Sequence, residues 1–162
     1  MTHHRRRTML TAALQLAATV GLCLLVGLVG SLVTMPNLPG WYAGLAKPTW
    51  TPPDWLFGPV WTTLYCLMGV AAWLVWRRVG WSRPLAWFAV QLLLNAAWSW
   101  LFFGLHSPFA GLIDIVLLWA AIAATVLAFW RVSRLAAILM LPYWAWVSYA
   151  AALNFAIWQM NR

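Results

Sequence analysis

Long apolar runs, separated by short polar or proline-containing segments, dominate the pattern of hydrophobic and polar positions along this chain. Five runs are long enough to cross a bilayer, whose hydrocarbon core requires roughly 20 apolar residues in a helix. They cover about residues 10–34, 53–76, 84–105, 108–130 and 135–160. Because lipid cannot satisfy unpaired backbone groups, these runs are predicted to be α-helices. A membrane β-barrel would require alternating polar and apolar positions, which the chain does not have.

The composition agrees with this interpretation. The 162 residues are 65% hydrophobic and 7% charged, whereas a soluble domain carries roughly 25% charged residues. We therefore predict an all-α membrane protein that forms a single domain over residues 1–162, a bundle of five transmembrane helices embedded in the lipid bilayer. The first run, preceded by Arg5, Arg6 and Arg7, resembles a signal peptide. Its apolar part is too long and no clean cleavage site follows, so we assign it to the mature protein.

The basic residues predict the orientation of the helices. One side of the predicted bundle carries Arg5, Arg6, Arg7, Arg77, Arg78, Arg83, Arg131 and Arg134. The other side carries only Lys47 and Arg162. The positive-inside rule then places the N-terminus in the cytoplasm, and the C-terminus and the loop between helices 1 and 2 outside a bacterial cell membrane. The net charge of +8 thus reflects topology. No nucleic-acid partner is expected, because the basic residues do not form a soluble face.

A Trp- and Pro-rich stretch, Trp41–Tyr65, connects the first two helices. Pro36 and Pro39 are predicted to end helix 1, which leaves a long loop over residues 35–52. We interpret this stiff, aromatic loop as a lid over a cavity inside the bundle. Trp41 and Tyr42 are its predicted contact points, and Trp61 and Tyr65 are the residues of the stretch expected in the cavity wall. Asp54 lies in the first turn of helix 2, where the helix dipole stabilises negative charge.

Aromatic and amide residues recur at helical spacing on three of the predicted helices. They are Trp61 and Tyr65 on helix 2, Gln91, Asn95, Trp98 and Phe102 on helix 3, and Tyr143, Trp146, Ala150 and Asn154 on helix 5. A rise of about 1.5 Å per residue places Trp61 about 12 Å and Asn95 about 15 Å below the outer helix ends. These faces are therefore predicted to converge on an aromatic-walled cavity, which suits a flat hydrophobic ligand.

Two sets of buried polar residues each allow two interpretations. Gln91 and Asn95 could serve only in hydrogen bonds between helices, or Asn95 could also bind a polar group of a ligand. Asp114, the acid within helix 4, could be functional, or it could be a neutral or hydrogen-bonded residue that ties helices together. Small residues spaced by four on helices 1 and 4 would allow another helix to approach closely.

Other chemistries find little support in the sequence. Cys23 and Cys66 are isolated and are interpreted as small hydrophobic residues. His3 and His4 belong to a short basic tail, His106 has no partner at metal-ligand spacing, and no metal site is predicted. The chain contains no phosphate-binding loop or paired carboxylates. A proton or ion pump would need several buried ionisable groups.

The loop motif W-Y-x-x-L-x-K-P-x-W-x-P-P-x-W, followed by G-P-V-W-T-x-L-Y, resembles the translocator protein family. Its bacterial members are called tryptophan-rich sensory proteins and its animal members peripheral-type benzodiazepine receptors. The similarity covers nearly the whole chain and includes Gln91, Asn95, Phe102, Phe103, Gly104, Asp114, Pro142, Tyr143, Trp146, Leu153 and Asn154. It implies a five-helix bundle, often a homodimer, that binds porphyrins, haem-related tetrapyrroles, sterols and isoquinoline or benzodiazepine drugs. Porphyrin or haem would be a ligand, and no cofactor is implied.

The resemblance also implies site residues. The ligand-binding positions of the family correspond here to Trp41, Tyr42, Pro52, Trp61, Asn95, Trp98, Trp146 and Ala150, and the family acid on helix 4 corresponds to Asp114. Some members are reported to degrade porphyrin in light, which would make Trp61 and Trp146 catalytic. Phe155 and Gln159 replace the tyrosine and basic residue of a proposed sterol motif, and Ala110 replaces a tryptophan. These departures predict weaker sterol binding and altered drug affinity.

Three functional hypotheses follow from the residues and the resemblance. The favoured one is a membrane receptor or carrier that binds, senses or transports tetrapyrroles. The alternative is a light- and oxygen-dependent enzyme that degrades porphyrin through cavity tryptophans. The third is a structural or sensory partner that docks another membrane protein through the small residues of helices 1 and 4.

Overall fold

The computed structural model describes the backbone of residues 2–162 and the side chains of residues 9–162. Within this part of the chain there are five α-helices and no β-strand. The helices are α1 (Thr2–Asn37), α2 (Asp54–Val79), α3 (Arg83–Ser99), α4 (Pro108–Trp130) and α5 (Arg134–Met160). Each contains a segment long and apolar enough to cross a membrane. The predicted all-α bundle of five transmembrane helices is thereby confirmed.

The first helix extends further than the sequence predicts. It passes through Pro36 to Asn37, and a π-helical turn, Leu38–Tyr42, continues it through Pro39. The prediction that Pro36 and Pro39 end the helix was therefore wrong. Proline removes a backbone N–H and crowds the carbonyl four residues earlier, and the wider i→i+5 turn of a π-helix leaves room for the ring. The irregular connection is accordingly short and covers only residues 45–53.

Short connections of residues 80–82, 105–107 and 131–133 join the later helices. Consecutive helices therefore run antiparallel, with α2 packed mainly against α1 and α5, and α3 mainly against α4 and α1. The C-terminal halves of α1, α3 and α5 consequently lie at the same end of the bundle as the first turns of α2 and α4. We call this end, which also carries residues 45–53, the loop end. A second π-helical turn, Trp100–Gly104, extends α3 towards it.

Glycines bring α1 unusually close to α2. A Cβ added to Gly69 would lie 2.5 Å from the Cα of Val20, so any side chain there would collide with backbone. Nearer the loop end, a Cβ at Gly27 would collide with the ring of Tyr65. At least one small residue of helix 1, Gly27, therefore packs against α2 of the same chain. A Cβ added to Gly21, in contrast, would have no neighbouring atom within 4 Å.

Two buried clusters form the core. The larger one contains Met68, Ile122 and Met140 among its fully buried members. The smaller one lies at the loop end and consists of Tyr42, Phe102, Phe103, Leu153 and Ile157. Residues of both clusters line the cavity described below, so the packing of the core also positions the candidate site.

Candidate ligand-binding cavity

A cavity of about 430 Å³ occupies the loop-end half of the bundle. The first turns of α2 and the C-terminal halves of α1, α3 and α5 supply most of its wall, and Ile115 and Leu118 of α4 complete it. Sites for small molecules typically measure about 300–1,000 Å³ and are lined mainly by apolar and aromatic groups. The cavity therefore has the size and lining of a site for a small hydrophobic molecule.

Three indole rings dominate the wall, and a neighbouring ring positions each of them. Trp98 stacks on Phe102 with 5.0 Å between ring centroids and an interplanar angle of 20°. Trp61 lies tilted against Tyr65 with its centroid 5.5 Å away. Trp146 meets Phe57 edge to face with 5.9 Å between centroids. Contacts of this kind fix ring orientation, so the wall presents aromatic surfaces in defined positions.

Most of the residues predicted to bind a ligand come together around this cavity. Those that line it are Tyr42, Trp61, Asn95, Trp98, Trp146 and Ala150. Trp41, Pro52 and Asp114 do not line it. The helical spacing on helices 2, 3 and 5 therefore identified faces that converge in the folded chain.

Trp41 lies in an aromatic group beside the cavity. Its ring stacks on the imidazole of His106 with 4.7 Å between centroids and meets Phe102 edge to face at 5.4 Å. The same imidazole is hydrogen-bonded through Nε2 to Oδ1 of Asn37 over 2.7 Å. Trp41 thus joins the end of α1 to the connection between α3 and α4.

The loop of residues 45–53, which contains Pro52, is fastened to α5. The N–H of Ala46 donates to Oδ1 of Asn161 over 3.0 Å, and Nδ2 of Asn161 donates back to the Ala46 carbonyl over 2.9 Å. The hydroxyl of Tyr149 donates to the carbonyl of Trp50 over 2.7 Å. No residue of the loop itself lines the cavity among the described residues, whereas Tyr42 and Asp54 on either side of it do.

Within the stretch 41–65, more residues reach the cavity wall than the sequence predicts. The expectation that only Trp61 and Tyr65 would do so was wrong, because Tyr42, Asp54, Phe57, Gly58 and Thr62 also line it. The extension of α1 as a helix turns Tyr42 inward, and helix 2 contributes its first turn as well as its second and third. Gly27 and Gly30 of α1 also line the cavity, and they allow Tyr65 of α2 and Ser99 of α3 to approach α1 closely. Asp54, Phe57 and Gly58 precede Trp61 at helical spacing, and this periodicity was the feature of the sequence that could have indicated their place in the wall.

A chain of hydrogen bonds forms the floor of the cavity. The hydroxyl of Tyr65 donates to Oδ1 of Asn95 over 2.6 Å, and Nδ2 of Asn95 donates to the hydroxyl of Tyr143 over 3.0 Å. That hydroxyl donates in turn to Oε1 of Gln91 over 2.9 Å. The amides of Gln91 and Asn95 therefore do join helices, as one of the two interpretations expected. Asn95, which lines the cavity, retains one amide hydrogen and one lone pair beyond this network.

Four buried side-chain atoms have no hydrogen-bond partner in the described part of the chain: Nε1 of Trp146, Oδ2 of Asp114, Nε1 of Trp144 and Oγ of Ser82. The first two belong to residues predicted to bind a ligand. Trp146 lies in the cavity wall, but its Nε1 is itself buried and is not exposed to the cavity. Asp114 is only 4% exposed and lies on α4 outside the cavity lining.

The described residues contain no group of three or more His, Cys, Asp or Glu side chains that could hold a metal ion. Cys23 and Cys66 are both free thiols. The groups that the cavity presents to a ligand are aromatic rings, a few hydrogen-bonding groups and the carboxylate of Asp54.

Comparisons with known proteins give a consistent result. The family model described as TspO/MBR matches residues 19–159. The chain is 51% identical over 152 residues to "Tryptophan-rich protein TspO" of Chlorobaculum tepidum, covering 91% of this chain and 96% of that protein. It is 42% identical over 147 residues to "Translocator protein" of Sus scrofa, covering 85% and 87% of the two chains. It is 40% identical over 147 residues to "Protein CrtK" of Rhodobacter capsulatus, covering 86% and 88%.

Proposed function

Because this chain belongs to the TspO/MBR family of membrane proteins, we propose that it is a receptor or carrier that binds a porphyrin or related tetrapyrrole in the loop-end cavity. Membership confirms the family that the loop motif predicted. The observation that carries the proposal is the wall formed by Trp61, Trp98 and Trp146. A flat macrocycle gains both apolar burial and ring contacts of about 0.5–1.5 kcal/mol per aromatic pair from such a wall.

Polar groups of the wall would orient the macrocycle. Asn95, whose amide is already held by Tyr65 and Tyr143, offers its remaining hydrogen and lone pair from a fixed position. A site of this kind, mostly apolar with a few placed polar groups, favours orientation and specificity over strong electrostatic binding.

Titration of the purified protein with protoporphyrin IX tests the proposal, with Trp fluorescence and the porphyrin absorption band as readouts. Saturable binding by the native protein is expected. The double variant Trp61→Phe, Trp146→Phe should bind at least about tenfold more weakly, because loss of about 1.4 kcal/mol corresponds to that factor.

The double variant Trp55→Phe, Trp81→Phe is the matched control. It removes the same number of indoles, but both lie exposed on the surface and outside the cavity. Its affinity should equal that of the native protein. Equal affinities for both double variants would show that the porphyrin binds elsewhere, and a non-saturable titration of the native protein would refute binding altogether.

Light- and oxygen-dependent degradation of porphyrin is a second candidate function. The observation that favours it is the contact of Trp61 with two oxidisable phenols: its ring centroid lies 5.5 Å from that of Tyr65 and 6.1 Å from that of Tyr143. Illumination of the complex in air should then yield a defined product over several turnovers, and Trp61→Phe should slow it. Equal loss of porphyrin in detergent without the protein would refute the enzymatic candidate.

We further propose a homodimer and an orientation with the loop end outside the cytoplasm. The family resemblance supports the dimer, and so does the exposure of α1. Only 17% of the most apolar segment of this helix is buried within the chain. The mass of the protein–detergent complex, measured by light scattering with correction for detergent, distinguishes one chain from two. A strictly monomeric mass, both in detergent and after crosslinking in native membranes, would refute the dimer.

A further inference from the structure

Among the side chains that the structure describes, Asp54 is the one charged group that lines the cavity. It is the first residue of α2 and is exposed at the loop end. A negative side chain at this position interacts favourably with the positive end of the helix dipole. The mouth of an otherwise apolar and aromatic cavity therefore carries one negative charge.

No ion pair joins this carboxylate to a cation among the described side chains, although the ammonium of Lys47 lies 4.6 Å from the ring centroid of Tyr42, another residue of the cavity wall. The nearest basic residue in sequence, Lys47, points its ammonium at the end of the α1 extension. It donates there to the carbonyls of Tyr42, Ala43 and Leu45 over 2.6, 3.3 and 3.2 Å. An ammonium has three donors, so these bonds use all of them.

The remaining basic side chains that the structure describes form no ion pair with Asp54 either. The guanidinium of Arg162, the other basic residue at the loop end, lies over the ring of Trp158 at 5.7 Å. The other arginines with described side chains lie near the opposite ends of the helices. Asp54 itself has no ion pair or hydrogen bond among the described side chains.

The interior of the cavity offers little to a ligand carboxylate. No lysine, arginine or histidine lines it among the described residues. Three of its hydroxyl groups already donate to their own helices: Ser31 to the Leu28 carbonyl, Thr34 to Gly30 and Thr62 to Gly58. Burial of an ionised carboxylate without compensating partners is costly. The ionised side chains of a bound tetrapyrrole would consequently stay at the water side of the cavity, close to Asp54.

We propose that Asp54 is a specificity-determining residue, and that it makes the cavity favour tetrapyrroles whose polar edge is neutral or cationic over tetrapyrrole dicarboxylates. This inference rests on the proposed binding of tetrapyrroles in the cavity. Repulsion between exposed like charges is weak, so the discrimination due to Asp54 is a modest factor that depends on ionic strength.

The test compares protoporphyrin IX, a dicarboxylate, with its neutral dimethyl ester in an uncharged detergent at low salt. Asp54→Asn should tighten binding of the dicarboxylate about two- to fivefold and leave the affinity for the diester unchanged. The gain should largely disappear at about 1 M salt, where the Debye length falls to about 3 Å.

Two control variants isolate the charge at the cavity. Asp54→Glu keeps the charge and should keep the native ratio of affinities. Arg162→Gln changes the net charge at the loop end but does not touch the cavity, and it should also keep that ratio. Asp54→Ser, a second neutral variant at this first position of α2, should reproduce Asp54→Asn if the latter folds poorly.

The outcomes separate this inference from the proposed function. If both porphyrins bind saturably but the neutral variants change neither affinity, or change both equally, the specificity role of Asp54 is overturned while tetrapyrrole binding stands. If the preference of the native protein for the diester over the dicarboxylate does not change with salt concentration, the role of Asp54 is overturned in the same way. If neither porphyrin binds the native protein, the proposed function and the role of Asp54 fail together.

Discussion

The amide nitrogen of Asn95 donates a hydrogen bond to the hydroxyl oxygen of Tyr143 over 3.0 Å. This bond joins α3 to α5 directly beneath the cavity. Because the same hydroxyl donates to Gln91 and the same amide accepts from Tyr65, one phenol and one amide connect three helices. The floor of the candidate site is thus also a structural joint of the bundle.

We expect Tyr143→Phe to destabilise the protein by about 1–2 kcal/mol, because Oε1 of Gln91 and Nδ2 of Asn95 would each lose a partner in a buried, apolar region. Unfolding in detergent, followed by circular dichroism during a denaturant titration, measures the change. Tyr149→Phe is the control: its hydroxyl bonds the carbonyl of Trp50 at an exposed position, where water can replace it. Equal effects of the two substitutions would contradict the role given to the buried network.

Gly69→Ala should lower the stability of the bundle by about 1–3 kcal/mol, the usual cost of overpacking. The added methyl group would meet the backbone of Val20, which cannot move aside as a flexible side chain could. The melting temperature in a fixed detergent is the readout. Gly21→Ala, with no atom within 4 Å of the new Cβ, should be neutral or slightly stabilising because alanine favours helix. A melting temperature for Gly69→Ala at or above that of Gly21→Ala would rule out the close crossing of α1 and α2.

Asn161→Ala should loosen the connection between α1 and α2. Its side chain exchanges two hydrogen bonds with the backbone of Ala46, and their loss frees the loop from the end of α5. Hydrogen–deuterium exchange with mass spectrometry should show faster exchange over residues 45–53, with α3 and α4 unchanged. Gln159→Ala, in the last turn of α5, is the control, and unchanged loop exchange in Asn161→Ala would argue against this anchor.

Cysteine labelling tests the orientation that the arginines predict. In a background of Cys23→Ala and Cys66→Ala, Thr49→Cys should react with a membrane-impermeant maleimide in intact bacterial cells that express the protein. Trp81→Cys, exposed in the connection between α2 and α3, should react only after the cells are lysed. The reverse pattern would place the loop end in the cytoplasm.

Much of the fold was determined by the sequence alone, because a bilayer leaves a polypeptide few choices. Every backbone N–H and C=O group in the membrane must form its hydrogen bond within its own helix. The number of sufficiently long apolar runs therefore determines the number of helices. Helical periodicity then placed Trp61, Asn95 and Trp146 on faces that do converge on the cavity. The loop motif identified the family, since its aromatic and proline spacing is long and specific.

Tertiary structure decided what depends on how the helices are rotated and packed against one another. Pro36 did not end α1, because a π-helical turn accommodated the following proline and turned Tyr42 into the wall. Asp114 is buried in the bundle but does not line the cavity. The helical rise determines the depth of a residue from its position in the sequence, whereas which neighbour it faces follows only from packing. That Asp54 lines the cavity without an ion pair, while Lys47 bonds the end of the α1 extension, likewise followed only from packing.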